Sequence, residues 1–239
     1  MINRVREQSV RESRIPLADE ALSLCRAAGL SPVKGVRISP SGDIDLSDLN
    51  FPLALKLLSR DASHKSDIGG VRLNIHSRQE LETAILQMRS SIENAPRPIT
   101  VDGFFVHEMP PSGSEFFVGA RRDPAFGPVV LAGMGGIFIE IFKDRAIRLA
   151  PVTENEALEM LRELKCYPIL LGARGGKALD IDALIEVICR ISALLCSQPE
   201  ISEIDLNPVM VYPRGGGVGI VDARVFFTEE NQIPMYAAR

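Results

Sequence analysis

Tryptophan is absent, aromatic residues make up 5% of the 239 positions, and no basic excess exists: the net charge is −4. A chain of this balance carries no electrostatic footprint for nucleic acid. Cysteine is scarce as well. Cys25, Cys166, Cys189 and Cys196 show no C-x-x-C spacing and sit among apolar neighbours, which predicts buried reduced thiols rather than disulfides or a metal centre. No stretch approaches the ~20 apolar residues of a membrane span, and the start, Met1-Ile-Asn-Arg-Val-Arg-Glu, is too charged for a signal peptide. The expectation is a soluble, cytoplasmic protein without nucleic-acid or membrane partners, long enough for one large domain or two small lobes sharing a cleft.

The order of elements points to an α+β fold. Residues 1–14 are charged and aperiodic and read as a loose arm. Pro16 opens a helical pattern with Leu17, Ala21, Leu24, Cys25 and Ala28 on one face, ended by Gly29. A short strand at 33–38, a strand through Lys56 and a returning strand at 71–75 follow. Ser77 and Glu80 mark the start of a helix running to about 94 that buries Leu81, Ile85 and Met88. A strand at 103–109 ends at the stiff turn Pro110-Pro-Ser-Gly113, taken as the boundary between an N-terminal lobe (16–109) and a C-terminal lobe (110–239). Beyond it, 115–121, 128–132, 137–142 and 146–149 read as short antiparallel strands. Helices at 153–164 and 180–196 precede a final hairpin, 201–211 and 219–227, closed by Arg214-Gly-Gly-Gly217. Strands and helices are interspersed without strict β-α-β alternation, which excludes a doubly wound sheet.

The stretch 51–71 is the most informative. Lys56 interrupts the apolar run Leu53-Ala-Leu-Lys56-Leu-Leu58. A buried unpaired ammonium is so costly that this side chain must reach water or meet an anion, so it points at a cleft. A polar loop then carries His64-Lys65, one of only three histidines with its lysine neighbour, and closes on Gly69-Gly70. His76 and His107 read as structural histidines.

Two glycine clusters invite familiar names and refuse them. Gly133-Met-Gly-Gly136 lacks the third glycine of G-x-G-x-x-G, and Gly175-Gly-Lys-Ala178 lacks the hydroxyl residue and earlier glycine of a P-loop. Each fits either a tight turn or a close backbone approach to an anion. In the C-terminal hairpin, alternation places Glu203, Asp205 and Asn207 on one strand face, with Asp222 on the facing strand. Such oxygens suit Mg²⁺. They equally suit an ordinary solvent-facing strand.

Taken in order, Leu55-Lys56, His64-Lys-Ser-Asp-Ile-Gly-Gly-Val71, Glu108-Met109, Gly113-Ser-Glu115 with Val118-Gly119, Asp123-Pro-Ala-Phe-Gly-Pro-Val129, Gly133-Met-Gly-Gly136, Arg174-Gly175, and Asp205-Leu-Asn-Pro-Val209 with Asp222-Ala-Arg224 resemble the ATP-grasp module of the ADP-forming acyl-coenzyme A synthetases. The likeness covers about residues 16–228 and extends to the similar succinyl-coenzyme A synthetase β subunit. Two departures are visible: Ser39-Pro-Ser-Gly-Asp-Ile-Asp replaces the usual alanine-rich helix, and Ala178 stands where proline is frequent.

The resemblance implies two α+β lobes gripping ATP or ADP. By position it gives Lys56 the phosphates, with Gly69, Gly70, Gly135, Gly136 and Arg174 as further nucleotide contacts. Glu108 and the backbone around Met109 fall to the adenine, Glu115 to the ribose side, and Asn207 and Asp222 to Mg²⁺. It implicates His64 in carrying a phosphoryl group, with Lys65 neutralising charge. Neutral imidazole is a nucleophile near pH 7, and a loop of about twelve residues can project its apex at most ~20 Å. It further implies a coenzyme A-binding α subunit as partner, in a hetero-oligomer such as α2β2, because this chain has no portion for that step. A second reading is a non-catalytic regulatory module of the kind associated with some protein acetyltransferases; a third is a stand-alone carboxylate ligase.

Overall fold

Two antiparallel sheets organise the chain, which a computed structural model describes at residues 1–11, 15–40, 44–60, 69–136 and 144–228, with backbone only for Val10, Arg11 and Arg174. The first has four strands in the order β1-β4-β2-β3: β1 (Gly35–Ile38), β2 (Leu53–Leu58), β3 (Val71–Ile75) and β4 (Gly103–Glu108). Helix α3 (Arg78–Glu93) covers one of its faces. Leu53, Leu55 and Leu57 of β2 and Phe104 and Val106 of β4 pack there against Leu81, Ile85 and Met88. The strand period of two sends Ala54, Lys56, Leu58, Phe105 and His107 to the opposite face.

The second sheet runs β10-β8-β5-β6-β7, with β9 also paired to β8. Its strands are β5 (Ser114–Asp123), β6 (Gly127–Met134), β7 (Arg145–Leu149), β8 (Ile201–Val211), β9 (Val218–Ile220) and β10 (Ala223–Phe227). Helices α4 (Glu154–Glu163) and α6 (Ile181–Ser197) bury its other side, and the short α5 (Tyr167–Leu170) lies between them in sequence. The expected strand at 137–142 lies outside the described residues.

Capping follows from the sequence. Ser77 Oγ accepts the Glu80 N–H at the start of α3, while the Glu80 carboxylate accepts the His76 N–H. At α4 the Thr153–Glu156 box is closed in both directions. Asp180 caps α6 and also accepts the N–H of Gly217, 2.8 Å away, tying that helix to the hairpin turn.

Two expectations change. The arm read as loose contains helix α1 (Ile2–Arg11), whose Ile2 and Val5 pack against the larger core. Its apolar stripe is two residues long and hidden among charges, too brief for periodicity to register. Helix α2 (Ala18–Ala27), assigned by position to the N-terminal lobe, packs instead in the core of the six-stranded sheet, where Leu22, Leu24 and Cys25 join Ala223 and Val225 of β10. The chain therefore starts in one lobe, builds the other and returns. All four cysteines are free, Cys25 and Cys166 buried, and burial pushes both thiols up to about 12. No described helix is long and apolar enough to cross a membrane.

Candidate functional site

Lys56 stands on the face of β2 turned away from α3 and is 9% exposed. Its Nζ donates to the carbonyl of Val221 at 2.9 Å and lies 3.9 Å from Asp222 Oδ2. The lysine thus meets both a carbonyl and an anion from the final hairpin of the other sheet, the carbonyl 165 residues later in the chain. Burial pulls its pKa down, and the Asp222 carboxylate opposes that shift.

The acceptor segment exists because the return strand of the final hairpin is broken. Pro208 has no N–H to donate into the ladder, and the pairing of β8 passes from β9, where Val209 faces Ile220, to β10, where Leu206 faces Ala223. Val221 and Asp222 fill the gap, held by Asn207 N–H to Asp222 C=O at 3.2 Å and Val221 N–H to Pro208 C=O at 3.0 Å. This sets Asn207 beside Asp222. Asp222 Oδ1 accepts the Ala223 N–H at 3.0 Å, and its side chain keeps 34% exposure. Asp205, on the same face of β8 as Asn207, is raised in pKa by burial, with Arg224 opposing and Glu203 and Asp222 adding to the rise.

His107 shares the inter-lobe face with Lys56. It is 1% exposed, with Nδ1 2.8 Å from the Glu108 carbonyl. That oxygen only accepts, so the Nδ1 nitrogen carries the proton and Nε2 is the bare acceptor. Nε2 is buried and has no hydrogen-bond partner among the described residues. Burial first and the Lys56 cation second lower the ring pKa to about 4. The sequence reading as a structural histidine fits Nδ1 but not Nε2.

At the inter-lobe segment the Glu108 carboxylate accepts both the backbone and side-chain N–H of Asn50, each at 2.9 Å. The Met109 N–H donates to Pro52 and the Glu108 N–H to Lys34, both at 2.9 Å. The Met109 N–H is thus already engaged within the chain. Glu115 lies at the start of β5, where its carbonyl accepts the Gly135 N–H at 2.7 Å. A Cβ on Gly135 would fall 3.0 Å from the Glu115 backbone, so glycine is what lets the turn close on this strand. Gly70 closes β2 by accepting the Leu57 N–H at 2.8 Å, and Gly69 sits at φ +69°. The structure brings Lys56, Asn207 and Asp222 together, and Glu115 with Gly135 and Gly136. Arg174 is placed by its backbone on a 3-10 turn, Ala173–Gly175; His64 and Lys65 lie outside the described residues.

The donor set tests the expected ion. Among the described residues no cluster of three or more His, Cys, Asp or Glu side chains is poised around a metal. One carboxylate and one amide, both hard oxygens, fit a Mg²⁺ that draws its remaining ligands from water and phosphate.

A model of the ATP-grasp domain matches residues 10–227. The chain belongs to the ATP-grasp family. This ATP-grasp module is 38% identical over 209 residues to the β subunit of acetate–CoA ligase (ADP-forming) I of Pyrococcus furiosus, covering 86% of the chain and 90% of that subunit. It is 41% identical over 204 residues to acetate–CoA ligase (ADP-forming) I of Archaeoglobus fulgidus, covering 82% of the chain but 29% of that longer protein. Among solved structures, the dinucleotide-forming acetyl-coenzyme A synthetase 1 of Ca. Korarchaeum cryptofilum, in complex with coenzyme A and Ca-AMPCP, superposes with a TM-score of 0.88 at 33% identity, over 95% of this chain and all of that one. Another structure of that enzyme, with Mg-AMPPCP and a phosphohistidine segment pointing towards the nucleotide site, gives a TM-score of 0.80 at 32% identity, over 94% of this chain and 98% of that one.

Proposed function

We propose that this ATP-grasp module is the nucleotide-binding β part of an ADP-forming acyl-coenzyme A synthetase. It passes a phosphoryl group between a phosphohistidine and ADP: the N–P bond of the phosphohistidine breaks as an O–P bond to the β-phosphate of ADP forms, giving ATP and free imidazole. The observation that carries the reading is the convergence of Lys56, Asn207 and Asp222 from two sheets, in a chain that matches a separate β subunit over nearly its whole length. Both named relatives are ligases, which favours catalysis over a regulatory module. With a coenzyme A-binding α partner, in an assembly such as α2β2, the full reaction is acyl-coenzyme A, ADP and phosphate giving the acid, coenzyme A and ATP.

In this reading Lys56 binds phosphate, Gly69, Gly70, Gly135, Gly136 and Arg174 line the nucleotide, and Glu115 faces the ribose. The segment at Glu108-Met109 receives adenine, Asn207 and Asp222 hold Mg²⁺, and His64 carries the phosphoryl group with Lys65 beside it. Bound Mg²⁺ would neutralise developing phosphate charge. Incubating the protein with its α partner, acetyl-coenzyme A and labelled phosphate is expected to place acid-labile phosphate on His64. Undiminished labelling and turnover in His64→Ala would remove the carrier role.

A further inference from the structure

The six-stranded sheet buries one face against helices. Val118, Ala120, Val130, Ala132 and Ala146 point into the core beneath α4 and α6, so the strand period of two turns Arg121, Val129, Leu131, Arg145, Ile147 and Leu149 to the opposite face. The register sets Leu131 beside Ile147 and Val129 beside Leu149, with Arg121 next to Val129. On β7 the alternation expected of an outer strand is inverted. Ala146 and Arg148 face the helices, where Arg148 pairs with Glu163 of α4, while Ile147 and Leu149 stand 49% and 63% exposed on the open side. At the Val129–Leu149 end of the β5–β6 hairpin, Phe126 is 73% exposed. Its turn is fixed by Asp123 Oδ1, which accepts the Ala125 and Phe126 N–H groups at 2.9 and 3.1 Å.

We infer that this outer face of β6 and β7 is the docking surface for the coenzyme A-binding α chain, which meets it with an apolar patch edged by carboxylates. The inference rests on the proposed function and adds to it the place where the partner sits.

An open apolar face of this kind suits a protein surface, whereas a small ligand needs an enclosing cavity. Arg121 and Arg145 mark opposite corners of the patch. Arg121 shares its charge with Asp123, 3.4 Å away, and Arg145 has no ion pair among the described residues. Acidic groups on the partner complement both corners. A second copy of this chain fits poorly, because a two-fold axis through the patch would bring arginine corner against arginine corner. The relatives favour the same occupant. The match spans 29% of the longer Archaeoglobus fulgidus ligase but 90% of the separate Pyrococcus furiosus β subunit, so the remainder of the longer chain needs a face of such a module to pack on. The preformed Phe126 turn gives that partner an aromatic anchor with little ordering cost.

Calorimetric titration of the α partner into the full chain, with Mg-ADP titrated separately, tests the surface without relying on turnover. Wild-type protein is expected to bind α. Ile147→Asp combined with Leu149→Asp should weaken that binding about a hundredfold or more, and Phe126→Ala about tenfold. Arg145→Glu should weaken it about tenfold and flatten its salt dependence. Mg-ADP affinity and melting temperature should stay at wild-type values in all three. Ile147→Ser with Leu149→Ser is a milder second variant, and Leu86→Asp, at an exposed position of α3 in the other sheet's layer, should leave both titrations unchanged. Unaltered α binding by either folded double variant would overturn the docking surface while leaving the nucleotide reading intact. Loss of Mg-ADP affinity in the folded double variants would overturn it too, by placing the face in the nucleotide cleft. Self-association of the wild type that the double variants abolish would overturn it in favour of a second copy. Wild-type protein that binds Mg-ADP but not α would also overturn it, and protein that binds neither would overturn both readings.

Discussion

At the scale of single residues, burial decides what a charged or titratable group does. Lys56 belongs to a strand buried along its whole length, so only a partner supplied by the other sheet lets it remain there. His107 is the complementary case, a buried ring kept neutral. Its pKa is pushed down to about 4 by burial and then by Lys56, against the opposing pulls of the Glu108 carbonyl and Asp222. The unfolded chain takes up the same proton near 6.5. Between these values the unfolded state binds more protons, so stability rises with pH. The contribution is fully present above pH 6.5 and is lost as pH falls through 4, up to roughly 3 kcal/mol in all. Urea midpoints of His107→Gln should therefore fall less steeply from pH 6.5 to 4 than those of the wild type; parallel slopes would show that His107 does not titrate as its burial requires.

At the scale of elements, α6 and the final hairpin are joined through one side chain. Asp180 is 9% exposed; Oδ1 accepts from Ala183, and Oδ2 accepts from Gly217. Asp180→Ala removes a helix cap and strands the turn's N–H, at a combined cost of about 2–3 kcal/mol. Ser77→Ala on α3 removes a cap alone, about 1 kcal/mol. Urea unfolding of the two variants would compare these values directly, and equal losses would mean that the tie to Gly217 contributes nothing. Both helix starts were legible, because an Asp or Ser before an apolar 3.6-residue pattern is local information. The break between β9 and β10 was not. Residues 219–227 alternate as one strand would, and the gap arises only where Pro208 of the facing strand fails to donate.

At the scale of the whole molecule, the strands before Pro110 pair in one sheet and those after it in the other, while α2 packs in the core of the second. Leu22, Leu24 and Cys25 complete the core under β10, and Leu58 and Phe105 of the four-stranded sheet also join that larger cluster. A fragment of residues 110–239 is thus expected to expose the apolar underside of β10 and to show the broad, non-cooperative melting of a loosely packed state. Fusing residues 15–34 to it through a flexible linker should restore a cooperative transition. Cooperative melting of the fragment alone would show that α2 is dispensable. Nothing in the sequence of α2 marks which sheet it covers, since an apolar stripe fits either.

By itself, the sequence determined most of the longer elements, the caps at Ser77 and Thr153, the α+β class and the ordered string of motifs that marks the family, because each of these is written in local patterns of polarity, glycine and proline. It also determined that Lys56 needed an anion. Only the tertiary structure decided that the anion is Asp222, helped by the carbonyl of Val221. A backbone carbonyl has no sequence signature, and residues 165 positions apart become partners only when two sheets face each other.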